Sequence, residues 1–242
     1  MGNLFGNFGN MGTFLSDALI MIIPALICIT IHELAHGFTA YKLGDSTAKE
    51  MGRLTLNPIK HLDPAGFIMI VIVGFGWAKP VPVDMRNFKH PKWYMAITAL
   101  AGPVSNLVLA SVVLLILGLV TTSLGIFADS STGHIFYSNE TGLLIYRIIS
   151  RMIMLNITLA VFNMLPIPPL DGSKVLFSLL PEKAYYKLMR YERYGMIALL
   201  IIVGLQLILG INILGRIIGY PTEVIFGGLR NVFFGFTYNL IN

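Results

Sequence analysis

Charge is scarce in this chain. Asp, Glu, Lys and Arg make up 12% of the 242 residues, where a soluble domain carries roughly 25%, and hydrophobic residues make up 55%. A soluble globular protein is close to excluded. Cysteine is almost absent: Cys28 stands alone inside an apolar run, so no intramolecular disulfide can form. No block of like charge occurs either. The 17 basic residues exceed the 12 acidic ones but are spread through connections between apolar runs, which is a pattern of membrane topology and not of nucleic-acid binding. The first twelve residues hold no Lys or Arg, and the apolar run behind them is longer than a signal core. A cleavable leader is therefore not expected.

What the chain has instead is apolar runs of about 20 residues, each enough for a hydrocarbon core of about 30 Å, with mean hydropathy +0.75. Four spans are expected: Thr13 to Leu43, Trp93 to Thr122, Leu143 to Leu165 and Gly195 to Ile218. Lys42 to Lys92 holds eight basic residues and Lys174 to Arg193 five, whereas Ser123 to Gly142 holds none. The positive-inside rule places the first two stretches in the cytoplasm and the third outside, with the N-terminus outside. Arg147 and Arg151 weigh against this mildly, unless they snorkel or pair.

Two segments fit less well. Phe67 to Val73 is β-branched, too short to span as a helix, and followed by Gly74, Gly76, Pro80 and Pro82; a re-entrant or membrane-edge β element around 67–83, covered by protein, is expected. Thr222 to Asn242, rich in Phe and broken by Gly227, Gly228 and Arg230, is either a fifth span or an interfacial segment, and the second is favoured.

The first span carries His32-Glu33-Leu34-Ala35-His36. Four residues are a little more than one helical turn, so both imidazoles reach one tetrahedral metal while Glu33 lies beside a metal-held water. Three ionisable side chains on one membrane helix are costly unless they function. Zinc needs a third protein ligand, and Asp171 in Asn163-Met-Leu-Pro-Ile-Pro-Pro-Leu-Asp171-Gly172 is the best placed. His36 and Asp171 both lie near a cytoplasmic span end, and Zn²⁺ with ionised Glu33 and Asp171 is neutral, the state a low dielectric tolerates best. Pro166, Pro168 and Pro169 stop the helix before Asp171 and free its carboxylate to turn.

These stretches, with Asn57-Pro58-Ile59-Lys60-His61-Leu62-Asp63-Pro64, Gly76-Trp77-Ala78-Lys79-Pro80-Val81-Pro82-Val83-Asp84 and Ala101-Gly102-Pro103-Val104-Ser105-Asn106, resemble the site-2 protease family of intramembrane zinc metalloproteases in its compact bacterial type. The motifs run in the family's order over most of residues 30–175. The resemblance implies an all-α polytopic membrane protein with a three-helix catalytic core and at least one further transmembrane helix. It also implies a single metalloprotease domain over 1–242, with the core at about 13–178 and accessory spans at about 195–242. His32, His36 and Asp171 would hold one Zn²⁺ and Glu33 would be the base. Asn106 would bind substrate backbone or the developing oxyanion, the alternative being interhelical packing. Asn163 would position the Pro-rich break or touch substrate. The region from Phe67 through Val73 to Val83 would clamp substrate by strand addition. His61 is not expected to ligate zinc, and His90 and His134 are expected to be solvated. The chain has no room for a PDZ domain between its core helices.

The expected partners are transmembrane protein substrates within a cell-membrane bilayer, with the active site open toward the cytoplasm and no nucleic acid involved. A metal or ion carrier using the same four side chains is the main competing class, disfavoured by the lack of repeat symmetry. An inactive relative that only binds transmembrane segments is the second.

Overall fold

The apolar runs become helices wherever a start signal and sufficient length coincide. The computed structural model describes residues 11–73, 76–120, 126–128, 135–137 and 140–241. In chain order they form α1 (Met11–Lys42), α2 (Thr47–Glu50), α3 (Pro64–Val73), α4 (Pro91–Val120), β1 (Ile126–Ala128), β2 (Ile135–Tyr137), α5 (Glu140–Asn163), α6 (Asp171–Ser178), α7 (Glu182–Leu209) and α8 (Ile213–Ile241). Ile20–Lys42 of α1, the whole of α4 and the whole of α5 are each long and apolar enough to cross a membrane. This is the architecture of a multi-pass membrane protein built on three core helices.

α4 lies at the centre, touching α1, α5, α6 and α8. Ala110, Val113, Leu114 and Leu117 of α4 close on Ile153 and Ile157 of α5, and Ile225, Phe226, Leu229 and Phe233 of α8 pack against that core. The segment from Thr222 is thus part of a helix with one face against two membrane helices. On the other side of α4, Ile97, Val104, Val108, Val112 and Ile116 stay about half exposed at near-helical spacing, an aliphatic stripe suited to lipid. β1 and β2 form an antiparallel pair with Ile126 opposite Tyr137, in the stretch read as external.

Two expectations need correction. Residues 67–73 are helical, not strand. Asp63 caps the helix, its Oδ1 accepting from Gly66 N–H at 2.8 Å, and Pro64 sits at the first helical position, so a strong start signal overrides β propensity. What remains of the β element is an isolated antiparallel bridge, Leu62 with Ala78, with Lys79 N–H donating to His61 O at 2.9 Å. The fourth span is not one continuous helix. α7 starts at Glu182 and stops at Gly210, whose φ of 66° is left-handed, as suits a glycine C-terminal stop; Asn212 then starts α8, accepting from Gly215 N–H at 2.9 Å. The apolar part of α7 is Tyr194–Gln206, shorter than the three core spans.

Candidate metal centre

The site is built where three helices meet. His32, Glu33 and His36 come from α1, Asp171 is the first residue of α6, and α4 presents Thr98, Gly102 and Asn106 at a spacing of four, one stripe of its surface. α5 ends at Asn163, and the Pro-rich 164–170 carries the chain to Asp171. Gly172 makes this return possible, because a Cβ there would stand 2.2 Å from the Met164 carbonyl oxygen. Gly102 matters more. A Cβ at this position would lie 2.4 Å from His36 Nε2 and 2.6 Å from His32 Cε1, so only glycine lets the imidazoles rest on α4.

Three ligand atoms form a near-equilateral triangle. His32 Nε2 and His36 Nε2 are 3.0 Å apart, and each is 3.2 Å from Asp171 Oδ2. Four ligands about 2.0–2.1 Å from a tetrahedral zinc stand about 3.3–3.4 Å from one another, so the triangle is nearly the right size. Proton bookkeeping leads to the same result. His36 Nδ1 lies 2.7 Å from Thr98 O and can only donate to that carbonyl, which leaves a lone pair on Nε2. His32 Nδ1 lies 3.2 Å from the Asn106 amide nitrogen, while Asn106 Oδ1 is buried without a partner among the described residues. Amide oxygen and nitrogen are interchangeable in such a site. Turning the amide lets its oxygen accept from His32 Nδ1–H, which leaves a second lone pair on His32 Nε2. Two imidazole lone pairs and a carboxylate oxygen then face one another, an arrangement stable only around a cation. His32, His36 and Asp171, all buried, fit a single metal ion.

Glu33 is not one of the three clustered ligands. Its Oε2 accepts from Val81 N–H at 2.8 Å, which ties Glu33 to the extended segment 76–83. That segment is anchored by buried polar groups outside the membrane helices. Arg53 Nη2 donates to Lys79 O at 2.7 Å, and His61, fully buried, reaches Thr55 O at 2.9 Å. Asp45 Oδ2 accepts from Asp84 N–H and its Oδ1 from Asn87 Nδ2, both at 2.8 Å. Burial works to raise the Asp45 pKa, but hydrogen bonds from Thr47, Asn87 and Asp84 outweigh it and hold the carboxyl below its ordinary value. The partly exposed Asp84 carboxyl is held at about 2, chiefly by hydrogen bonds from Arg86.

A cavity of about 570 Å³ opens on the triangle. His32, Glu33, His36 and Asp171 line it, as do residues of the 76–83 segment and Lys174, Glu192 and Met196. Lys174 Nζ is 4.0 Å from Asp171 Oδ1 and 3.4 Å from Glu192 Oε1, a chain of alternating charge from α7 to the ligand set.

Of the residues expected at the site, His32, Glu33, His36 and Asp171 come together, and Asn163 lines the cavity with its amide donating to Leu159 O at 3.0 Å. Asn106 is fully buried behind the triangle and does not line the cavity. Phe67 is half-buried on α3 and is not part of the lining either; Val73 ends α3, and its side chain lies outside the described residues, as does His134. The wall is formed by 76–83, the second half of the region expected to clamp substrate. His61 is no part of the ligand triangle, and His90 is exposed, its ring edge-on to Tyr94. Thr98, Lys174 and Glu192 were not anticipated at the site, and Gly102 and Val81, both inside the motifs quoted above, were not expected to seat the imidazoles or to hold Glu33. The spacing of four through 98, 102 and 106 was a signal available in the sequence for Thr98 and Gly102.

The family model of peptidase family M50 matches residues 20–209. The chain belongs to peptidase family M50. It is similar to "Putative zinc metalloprotease YwhC" of Bacillus subtilis (strain 168), at 44% identity over 183 residues, 75% of this chain and 78% of that protein. It is also similar to "Putative zinc metalloprotease Rip2" of Mycolicibacterium smegmatis, at 30% identity over 190 residues, 76% of this chain and 66% of that one. The Rip2 protein of Mycobacterium tuberculosis (strain ATCC 25618 / H37Rv) shares 27% identity over 196 residues, 77% of this chain and 68% of that one. No solved structure matches the chain. Membership of M50 makes this a site-2 protease relative and a metalloprotease, and the M50 match contains all three candidate ligands as well as Glu33.

Proposed function

We propose that this M50 protein hydrolyses peptide bonds within or beside transmembrane segments of other membrane proteins, with one Zn²⁺ per chain on His32, His36 and Asp171. The observation that carries this reading is the convergence of three candidate ligands on a cavity that Glu33 also lines, among residues of helices long and apolar enough to cross a membrane. Zinc, when bound, supplies a Lewis acid that polarises the scissile carbonyl and acidifies water.

The remaining steps belong to this chain's own residues. Val81 N–H holds Glu33 Oε2, so the other carboxylate oxygen takes a proton from the attacking water and delivers it to the leaving amine. Thr98 O fixes the His36 ring through Nδ1, and Asn106 does the same for His32, which makes Asn106 a positioning residue. A substrate helix shields its peptide bonds with its own hydrogen bonds, so it unwinds before cleavage and lies along 76–83 as an added strand. Pro80 and Pro82 carry no N–H, and the N–H groups of Lys79, Val81 and Asp84 are already committed inward. The substrate strand therefore pairs mainly by donating its own N–H groups to carbonyls of this segment. Asn163 lines the same cavity and is a second substrate contact. The loops bordering the site hold most of the basic residues, which turns it toward the cytoplasm.

Glu33→Gln tests the proposal. It preserves shape and all three ligands, so the variant keeps its zinc while cleavage of co-expressed single-span proteins falls about 10²–10⁴-fold. Equal fragment yield from wild type and Glu33→Gln removes Glu33 from the mechanism. No fragment from wild type across a broad panel favours the carrier or the inactive relative.

A further inference from the structure

α7 has two unlike faces. Its inner face belongs to the site. Tyr185 is fully buried with its hydroxyl donating to Met85 Sδ at 3.3 Å, Glu192 pairs with Lys174, and Met196 and Leu199 line the cavity. Its outer face carries Lys183, Tyr186, Lys187, Arg190, Tyr191 and Tyr194, all exposed. At about 100° per residue these six fall within an arc of about 140°. Neither Glu182 nor Glu192 falls inside it, so three cations and three phenol rings share a strip free of carboxylate.

The same strip continues along the helix as Ile197, Ile201, Leu205 and Ile208, between 50% and 81% exposed. Its character thus switches at Tyr194 from cationic and aromatic to wholly aliphatic, without change of direction. In a chain with three membrane-crossing helices, that switch marks the passage from headgroups to hydrocarbon: tyrosines favour the headgroup level, and basic side chains just outside it are drawn to anionic lipid. The aliphatic continuation seats acyl chains directly below the cations, which a soluble anion would not use.

We propose that the outer strip of α7, centred on Lys183, Lys187 and Arg190, is a binding site for the headgroups of anionic phospholipids. The guanidinium of Arg190 grips phosphate oxygens in pairs, the two ammonium groups add point charge, and the tyrosine hydroxyls hydrogen-bond the glycerol and ester region. Because the inner face of the same helix walls the cavity, lipid held outside seats that wall. The site is independent of the proteolytic reading and stands or fails separately from it.

The test is native mass spectrometry of the intact detergent-purified chain, titrated with phosphatidylglycerol or phosphatidylcholine of identical acyl chains. Each basic group near an anionic surface is worth about fivefold in binding. Wild type should therefore prefer phosphatidylglycerol strongly, and Lys183→Gln/Lys187→Gln/Arg190→Gln should lose about a hundredfold in its affinity, while Lys60→Gln/Lys89→Gln, which removes exposed charge elsewhere, keeps it. Should the triple variant fail to fold, Arg190→Gln alone is expected to lose severalfold. Equal retention of both lipids by wild type, or an unchanged preference in the α7 variants, overturns the proposal. So does complete displacement of phosphatidylglycerol by millimolar inorganic phosphate, which would make the strip a soluble-anion site.

Discussion

The ligand triangle and the rest of the cavity wall are built by different means. Around the triangle, the elements are helices packed at closest approach: Gly102 lets two imidazoles rest on α4, and each ring is fixed from behind by a group on that helix. The wall is a run of extended chain and one partly buried ion pair, held by hydrogen bonds with Asp45, Arg53 and His61 on one side and by Lys174 with Glu192 on the other. Metal chemistry requires ligands fixed to fractions of an ångström, whereas a wall that admits a polypeptide is better made of contacts that can be exchanged singly. Damage should accordingly be severe and metal-linked in the first region, graded and metal-independent in the second.

Gly102→Ala should show the largest effect. The added methyl has no place except through the two ligands, so zinc measured by mass spectrometry on purified protein should fall to the level of His36→Ala. Full zinc content in Gly102→Ala would mean the imidazoles are less closely seated than 2.4 Å implies. Asn106→Ala comes next, because it strips His32 of its rear support without touching the metal: zinc affinity by chelator competition should weaken about 10–100-fold. If Asn106 instead served substrate alone, zinc affinity would stay at the wild-type value while KM rose.

The wall should respond to pH in a defined direction. The Asp45 carboxyl has its folded pKa below its ordinary value, so its contribution is fully present above the unfolded value and is lost as pH falls through the lower folded one. Hydrogen exchange at the amides of Asp84 and Val81 should accelerate only in the acid range below about pH 4, and Asp45→Asn should give the faster exchange already at pH 7. Loss of hydrogen bonds to a charged group corresponds to about 1–3 kcal/mol of local stability. Glu192→Gln should give the smallest effect: the pair with Lys174 is partly solvated and worth about 0.2–1 kcal/mol, so kcat/KM should fall by no more than about fivefold with zinc content unchanged. A loss of metal in Glu192→Gln would join the two regions into one.

The legible parts were those governed by local rules. H-E-x-x-H places two imidazoles on one helical turn wherever a helix forms, and the proline run before Asp171 stops a helix wherever it occurs. The three core spans followed from length and hydropathy. Residues 67–73 were misread because a β-branched run was weighed above Asp63-Pro64, a start signal that was present in the sequence. The break at Gly210 was hidden inside an apolar stretch whose hydropathy does not change there. Lys174 read as a topology marker, since nothing local announces a partner 18 positions away on another helix.

The sequence by itself determined the chemistry: which side chains can hold a metal, which can take a proton, and that they sit in a membrane, because these depend on residue type and helical spacing alone. Only the tertiary structure decided how that chemistry is held and reached. It places Thr98, Gly102 and Asn106 behind the candidate ligands, Val81 on Glu33, and Glu192 on Lys174. Those pairings are set by how four helices and an extended segment pack, and contacts between distant parts of a chain depend on shape and burial that no local pattern records.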